Sequence, residues 1–184
     1  MKSDEPGAAI PDEELVRQAL QGSQRALDEL VGRHHTVVYR IVFGILGDGD
    51  AASDATQDTF LKAFRALDRF RGEARFRTWL LTIASNVARG MLRQKERRRE
   101  KPLDEAPDVP DQRSDASGEV SRSEEADRVA ELLAKLPEKQ RLAVQLRTQE
   151  GLSFREVGEI IGSTEGAARV NYHHGIRRLR EMLE

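Results

Sequence analysis

The chain has 184 residues, of which 38% are hydrophobic and 34% charged, and its net charge is −2. This composition is typical of a globular protein, and the lack of cysteine excludes disulfide bonds and thiolate zinc sites. No apolar run reaches membrane length, because Arg40 interrupts the best candidate. The acidic N-terminal stretch MKSDEPGAAIPDEE lacks the apolar core of a signal peptide, so we expect a cytoplasmic protein.

The first half of the chain predicts four helices, since it shows no strand-like alternation and is interrupted only by clusters of Gly and Asp. Ser53 and Asp54 are candidate caps for the third helix, and the FRGE turn at residues 70–73 follows its end. The expected helices cover residues 13–21, 23–46, 51–67 and a stretch that starts at residue 77.

A charged segment separates this half from the rest of the chain. Residues 93–101 hold six basic and two acidic residues, whereas residues 102–127 hold two basic and nine acidic ones. Three prolines and few large apolar residues leave the acidic part unable to offset its ordering entropy, so it predicts a flexible linker. Helices resume near residue 124, and Pro137 lies where a first helical turn accepts proline.

Residues 152–183 predict two helices joined by a short break. Ser153 can cap the first helix, with Glu156 in the reciprocal position of a capping box, and Gly162 is placed to end it. Thr164 can then cap the second helix. This helix-turn-helix pattern suits a helix that enters the DNA major groove, although an ordinary αα-hairpin gives the same local pattern.

The second of these helices has an apolar and a basic face. Its apolar face is expected to consist of Ala168, Tyr172, Ile176, Leu179 and Leu183. Its basic face carries Arg169, His173, Arg177 and Arg180. A protein that binds DNA without a partner needs basic residues that neutralise the DNA phosphates. A net charge of −2 is unusual for such a protein. The separation of basic segments from acidic ones therefore predicts a DNA-binding protein that a larger partner holds on the DNA.

Two stretches carry a family resemblance. The run DATQDTFLKAFRALDRFRGEARFRTWLLTIASNVA at residues 54–88 and the run LPEKQRLAVQLRTQEGLSFREVGEIIGSTEGAARV at residues 136–170 resemble bacterial sigma factors of the extracytoplasmic-function (ECF) group of the sigma-70 family. The resemblance covers nearly the whole chain and implies an all-α fold. It implies two small helical domains joined by a flexible acidic linker, the C-terminal one a four-helix unit with a helix-turn-helix.

The resemblance also implies how the chain is divided and what it does. The expected parts are a disordered terminus at 1–11, sigma domain 2 at 12–100, the linker at 101–124 and sigma domain 4 at 125–184. Such a factor binds core RNA polymerase through the β′ clamp helices and the β flap. It reads the minus-35 promoter element with domain 4 and melts the minus-10 element with domain 2, and the resemblance implies an anti-sigma factor as a further partner.

The DATQDTF segment matches the family's surface for the β′ clamp helices. The residues assigned to that contact are Asp54, Gln57, Asp58, Phe60 and Leu61. Most of them recur at spacings of three and four residues, which gives one polar-edged helical stripe. A solvated acidic face is the alternative.

The segment at residues 70–80 matches the family's loop and helix for melting the minus-10 element. A base that leaves the stack needs aromatic surface and edge contacts in its new pocket. The residues assigned to minus-10 DNA are Phe70, Arg71, Glu73, Arg75, Phe76, Arg77, Trp79 and Asn86. Aromatic residues at helical spacing more often fill a core, and Trp79 is the one for which we favour that alternative.

The residues assigned to minus-35 DNA are Ser153, Arg155, Arg169, Asn171, His173, His174, Arg177 and Arg178. Here the chain departs from the family, which has a more basic stretch in place of VNYHHGI. Gly175 replaces a small helix-favouring residue, at a cost of about 0.5–1 kcal/mol relative to alanine. We therefore expect an unusual promoter sequence. Gly90, in the other domain, likewise stands where an acidic residue is common in the family.

Catalysis, a cofactor and a metal are not expected. Adjacent histidines at 34–35 and 173–174 point about 100° apart on a helix, and no nucleophile-base arrangement or phosphate loop accompanies them. Two rival functions remain: a dimeric helix-turn-helix regulator that binds DNA without polymerase, and an interaction module that sequesters a regulator.

Overall fold

The structure is a computed structural model that describes residues 10–99 and 124–183. The disordered terminus and the acidic linker expected from the sequence lie almost entirely outside these described residues. Within them, every regular element is a helix, as the resemblance implied.

The N-terminal domain contains the four helices predicted from the sequence. A short 3-10 helix that the sequence did not predict, Leu67–Arg69, follows the third of them. The helices are α1 (Asp12–Leu20), α2 (Gln24–Leu46), α3 (Gly49–Arg65) and α4 (Phe76–Arg99).

The start of α3 differs from the expectation. Gly47 ends α2 in the left-handed conformation with φ of 70°, and Asp48 is the extended residue that follows. The Asp48 carboxylate accepts a hydrogen bond of 2.7 Å from the Ala51 N–H, which makes Asp48 the helix cap. The assignment of Ser53 and Asp54 as caps was therefore wrong, because the helix has already begun before them.

The core of this domain forms where α2 packs against α1, α3 and α4. Leu30, Val38 and Val42 of α2 are fully buried at helical spacing. They meet Phe76 and Leu80 of α4 in one apolar cluster. Burial of this continuous face, more than helix propensity, stabilises the domain.

The C-terminal domain contains four helices, as the resemblance implied. Pro137 lies at the N-cap of the second, one position before the helical turn in which it was expected. The helices are α5 (Glu124–Ala134), α6 (Glu138–Thr148), α7 (Phe154–Ile161) and α8 (Glu165–Leu183).

The caps predicted for the helix-turn-helix are confirmed. Ser153 and Glu156 form a reciprocal capping box at the start of α7, and Gly162 ends that helix with φ of 63°. The Thr164 hydroxyl accepts a hydrogen bond of 3.2 Å from the Ala167 N–H at the start of α8. These caps fix the turn between α7 and α8.

The inward face of α8 is confirmed over most of its length, but not at its end. Ala168 is fully buried, whereas Leu183 is 69% exposed and lies outside the core. Gly175 is buried against α6, where a Cβ atom would lie 2.7 Å from Val144 Cγ2 and 3.2 Å from the Gln140 carbonyl oxygen. This glycine therefore allows α6 and α8 to approach closely, which the sequence did not indicate.

The two domains pack against each other. Helix α4 contacts α7, helix α2 contacts α6, and apolar side chains of both domains form one continuous cluster. Ion pairs also join them, since Arg89 of α4 lies 3.1 Å from Glu138 of α6. None of the described helices combines the length and the apolar character needed to cross a membrane.

Candidate nucleic-acid and polymerase interfaces

The residues assigned to minus-35 DNA lie together on the helix-turn-helix, and most are exposed. Asn171 is half-buried, and its side-chain amide donates a hydrogen bond of 2.8 Å to the Ala167 carbonyl of its own helix. The exposed ones are Ser153, Arg155, Arg169, His173, His174, Arg177 and Arg178. The face that was expected to contact DNA is therefore open to solvent.

Phe154 organises the centre of this surface. The Arg169 guanidinium lies 5.1 Å from the centroid of the Phe154 ring, and the Arg147 guanidinium lies 5.0 Å from it. Tyr172 meets the same ring edge-to-face at 5.5 Å. Sequence reasoning missed Phe154 and Arg147, because the contact joins three helices and no local spacing reveals it.

Ion pairs on α8 leave its arginines available. Arg169 pairs with Glu165 at 3.0 Å and Arg177 with Glu181 at 3.7 Å, and in both pairs more than half of each side chain is exposed. Exposed pairs of this kind contribute little, so a phosphate can replace the carboxylate at low cost. These ion pairs keep the guanidinium groups at the surface, where a DNA phosphate can still bind them.

Glu156 joins the capping box to the other domain. Its carboxylate accepts hydrogen bonds from the Ser153 N–H at 2.8 Å and from the Thr78 hydroxyl at 3.0 Å. Burial acts to raise the pKa of Glu156, but the hydrogen bonds from Ser153 and Thr78 and the attraction of Arg75 outweigh it. The net pKa lies below its usual value.

The aromatic residues expected to meet minus-10 DNA form one cluster. Phe70 lies 5.2 Å from Trp79 and 5.8 Å from Phe76 between ring centroids. Phe70 and Trp79 are half-buried and keep part of their rings exposed. Phe76 is fully buried, so the assignment of its ring to DNA is corrected to a packing role under the other two.

The polar residues assigned to minus-10 DNA divide into two groups. Arg77 is half-buried, and its guanidinium pairs with the carboxylate of Glu150 in the C-terminal domain. The others, Arg71, Glu73, Arg75 and Asn86, are exposed. Of the residues assigned to minus-10 DNA, only Phe76 is closed to solvent, and Phe70, Arg77 and Trp79 are partly covered.

The stripe assigned to polymerase binding lies on the outer face of α3. Asp54, Gln57 and Asp58 are exposed, and Leu61 is 53% exposed. An exposed leucine beside two carboxylates is a surface that can bury apolar area in a complex. Phe60 is 7% exposed and packs between His35 and Phe64, so its assignment to the contact surface is corrected to a core position.

The histidines of the described ranges lie in different surroundings. His34 is buried, with its Nε2 atom 2.7 Å from an Asp12 carboxylate oxygen and its ring 5.6 Å from Phe76. His173 lies on the exposed face of α8. Across residues 10–99 and 124–183, no three side chains of the metal-binding types come together.

Both domains match family models. Residues 30–98 match Sigma-70 region 2, and residues 126–179 match Sigma-70 region 4. The sigma factor CarQ of Myxococcus xanthus is 35% identical over 164 residues, which cover 88% of this chain and 91% of CarQ. The ECF sigma-E factor of Escherichia coli strain K12 is 33% identical over 185 residues, which cover 95% of this chain and 93% of that protein.

The chain belongs to the ECF group of sigma-70 family RNA polymerase sigma factors. Family membership makes this sigma factor a specificity factor for transcription initiation at promoters. Its fold is similar to that of CnrH, solved in complex with the cytosolic domain of CnrY, with a TM-score of 0.67 and 27% identity. That match covers 94% of this chain and 96% of CnrH.

Proposed function

We propose that this sigma factor binds core RNA polymerase through α3 and directs it to promoters, where α7 and α8 read the minus-35 element and the loop before α4, together with the first half of α4, melts the minus-10 element. The observation that carries this proposal is the exposure of the three assigned surfaces in a chain that matches both sigma regions. Each surface has the chemistry its role requires: arginines for phosphates, half-exposed aromatic rings for bases, and carboxylates around a leucine for a protein.

The near-neutral net charge supports dependence on polymerase. A chain with a net charge of −2 gains little non-specific affinity for DNA, since that affinity comes from phosphate neutralisation. Core polymerase supplies the missing affinity, and the exposed arginines of α8 supply the choice of site. The factor itself performs no catalytic step in this proposal, and it acts in the cytoplasm, where polymerase and chromosome meet.

An anti-sigma factor is a further proposed partner. CnrH, a similar chain, has been solved with the cytosolic domain of CnrY bound to it. The exposed leucine of α3 and the exposed basic face of α8 give a regulator two surfaces to cover. Covering them would block polymerase and DNA at the same time.

Reconstituted transcription tests the proposal. Start sites mapped after overexpression of the chain supply a template, and core polymerase is then assayed with and without the purified protein. We expect a transcript of defined length only when both proteins are present, and we expect it to disappear when the minus-35 element is replaced. A template that is bound specifically without polymerase, with no transcript in either case, favours the dimeric regulator. Absence of both DNA binding and transcript favours the sequestering module.

A further inference from the structure

Glu150, in the connection between α6 and α7, joins the C-terminal domain to two arginines of the N-terminal domain. Its carboxylate pairs with Arg40 of α2 and with Arg77 of α4. The Arg77 guanidinium also donates to the Glu150 backbone carbonyl at 3.3 Å. The Glu150 side chain is only 10% exposed, whereas the side chains of Arg40 and Arg77 are 41% and 32% exposed.

Local hydrogen bonds fix the conformation of the connection that carries Glu150. Gly151 adopts a left-handed conformation with φ of 65°, so the chain reverses directly after Glu150. The Leu152 N–H donates to the Leu146 carbonyl at 3.1 Å, and the Arg147 guanidinium donates to the Leu152 carbonyl at 2.8 Å. Because the turn is fixed, little entropy is lost when the carboxylate pairs with the arginines.

The charges around this contact leave Glu150 as the counter-ion of both arginines. Arg40, Arg77 and Glu150 line an open cleft of about 470 Å³, together with Asp12 and Arg33. The Asp12 carboxylate lies 3.3 Å from Arg33 Nη1 and is also bonded to a buried histidine. Among the charged residues that line the cleft, Glu150 is thus the carboxylate that pairs with Arg40 and Arg77.

The rest of the domain contact combines the apolar cluster that both domains share with a few polar contacts. Thr78 donates to Glu156 at 3.0 Å, and the Arg141 guanidinium donates to the Gly44 carbonyl across the boundary. Buried Gln145 Oε1, which faces Gly44, has no hydrogen-bond partner among the described residues. The interdomain ion pairs of Glu150 and of Arg89 with Glu138 therefore add to the shared apolar cluster in keeping the interface closed.

Promoter binding requires this interface to open, if the proposed function is right. The two elements, named for their distances from the start site, are about 25 base pairs apart, or about 85 Å along B-form DNA. A compact chain of this length has a radius of gyration of about 16 Å. The closed molecule is therefore too small to place one domain on each element.

We propose that the Glu150 carboxylate competes with DNA phosphate for an anion site formed by Arg40 and Arg77. While it occupies this site, it holds the two domains closed. Binding of polymerase and of a DNA phosphate displaces it. This inference rests on the proposed function and adds Arg40, which the family resemblance did not assign, to the phosphate-binding residues. Arg77 then has two alternative partners, the carboxylate of Glu150 in the closed form and a phosphate in the open form.

Energy transfer between two dyes tests the closed state without polymerase. The chain contains no cysteine, so single cysteines placed at the exposed positions Asp50 and Arg180 label one domain each. Glu150→Lys replaces the carboxylate that pairs with Arg40 and Arg77 by a further positive charge and should lower the transfer efficiency, with Glu150→Gln intermediate. The control is Glu131→Lys, the same charge change at an exposed position of α5, which should leave the efficiency unchanged.

A titration with core polymerase then tests competition. If polymerase captures only the open form, the apparent affinity rises in proportion to the open fraction, and we expect an increase of about tenfold for Glu150→Lys. Equal transfer efficiency in wild type and Glu150→Lys would overturn the proposal that Glu150 holds the domains closed. Lower efficiency without tighter binding of polymerase would also overturn it. Should Glu150→Lys fail to fold by circular dichroism, Glu150→Gln decides by the same two criteria. Failure of the proposed function would instead show as absent transcription with the wild-type chain.

Discussion

Replacement of Gly175 by alanine tests the close packing of α8 on α6. The new Cβ atom would lie 2.7 Å from Val144 Cγ2, about 1 Å inside the usual contact distance between carbon atoms. Overpacking of this kind costs about 1–3 kcal/mol. Alanine recovers about 1 kcal/mol through its higher helix propensity, which leaves a net destabilisation of about 1 kcal/mol.

The assay is urea unfolding of four proteins that form a double-mutant cycle: wild type, Gly175→Ala, Val144→Ala and the double variant. Val144→Ala removes the methyl group that the new Cβ would meet, so Gly175→Ala should become neutral or stabilising in that background. Gly166→Ala in the same helix is the control, since nothing lies within 4 Å of its Cβ position. An identical effect of Gly175→Ala in both backgrounds, within about 0.5 kcal/mol, would refute the packing argument.

Three further predictions concern the assigned surfaces and acid stability. Arg169→Ala should weaken binding of the holoenzyme to the minus-35 element by about 1–3 kcal/mol if this residue reads a base edge, as measured by footprint titration. The pair Asp54→Lys and Asp58→Lys should weaken core polymerase binding and leave circular dichroism unchanged. Glu156→Gln should reduce the loss of unfolding free energy in acid. The folded-state pKa of Glu156 lies below its ordinary value of 4.5, so its stabilisation is present above that value and lost as the pH falls through the lower folded pKa.

Each of these predictions has a result that would contradict it, and the polymerase prediction has a matched control. Asp68→Lys is an exposed charge reversal outside the α3 stripe and should leave core binding intact. Equal core affinity in the Asp54 and Asp58 variants would remove the polymerase assignment from α3. An unaltered footprint for Arg169→Ala would place minus-35 reading on other residues. A Glu156→Gln chain whose acid unfolding curve parallels that of wild type would show that the folded pKa is not lowered.

Local sequence signals identified much of the helix-turn-helix. The capping box at Ser153 and the cap at Thr164 each join residues three positions apart, so both caps can be predicted from the sequence. The cap of α3 was misassigned because GDGDAASD offers several candidates. The left-handed Gly47 ends α2 and leaves Asp48 as the extended residue that caps α3.

Tertiary contacts account for what the sequence did not reveal. Phe60 and Phe76 share their residue type with the half-buried Phe64 and Phe70 nearby, and only packing separates them. The pairing of Glu150 with Arg40 and Arg77 joins residues 110 and 73 positions apart, which no helical period relates. The sequence showed only that Gly175 is costly within a helix, and the reason for a glycine there, close packing against Val144, lies on the neighbouring helix.

The dependence of promoter binding on polymerase is tested most directly by measuring the affinity of a labelled promoter duplex for the chain alone, for core polymerase alone and for the two together, at one salt concentration. We predict that the chain alone shows weak binding without sequence preference, and that the two together bind the promoter far more tightly than either one. Specific binding by the chain alone, equal in strength to that of the mixture, would contradict the account.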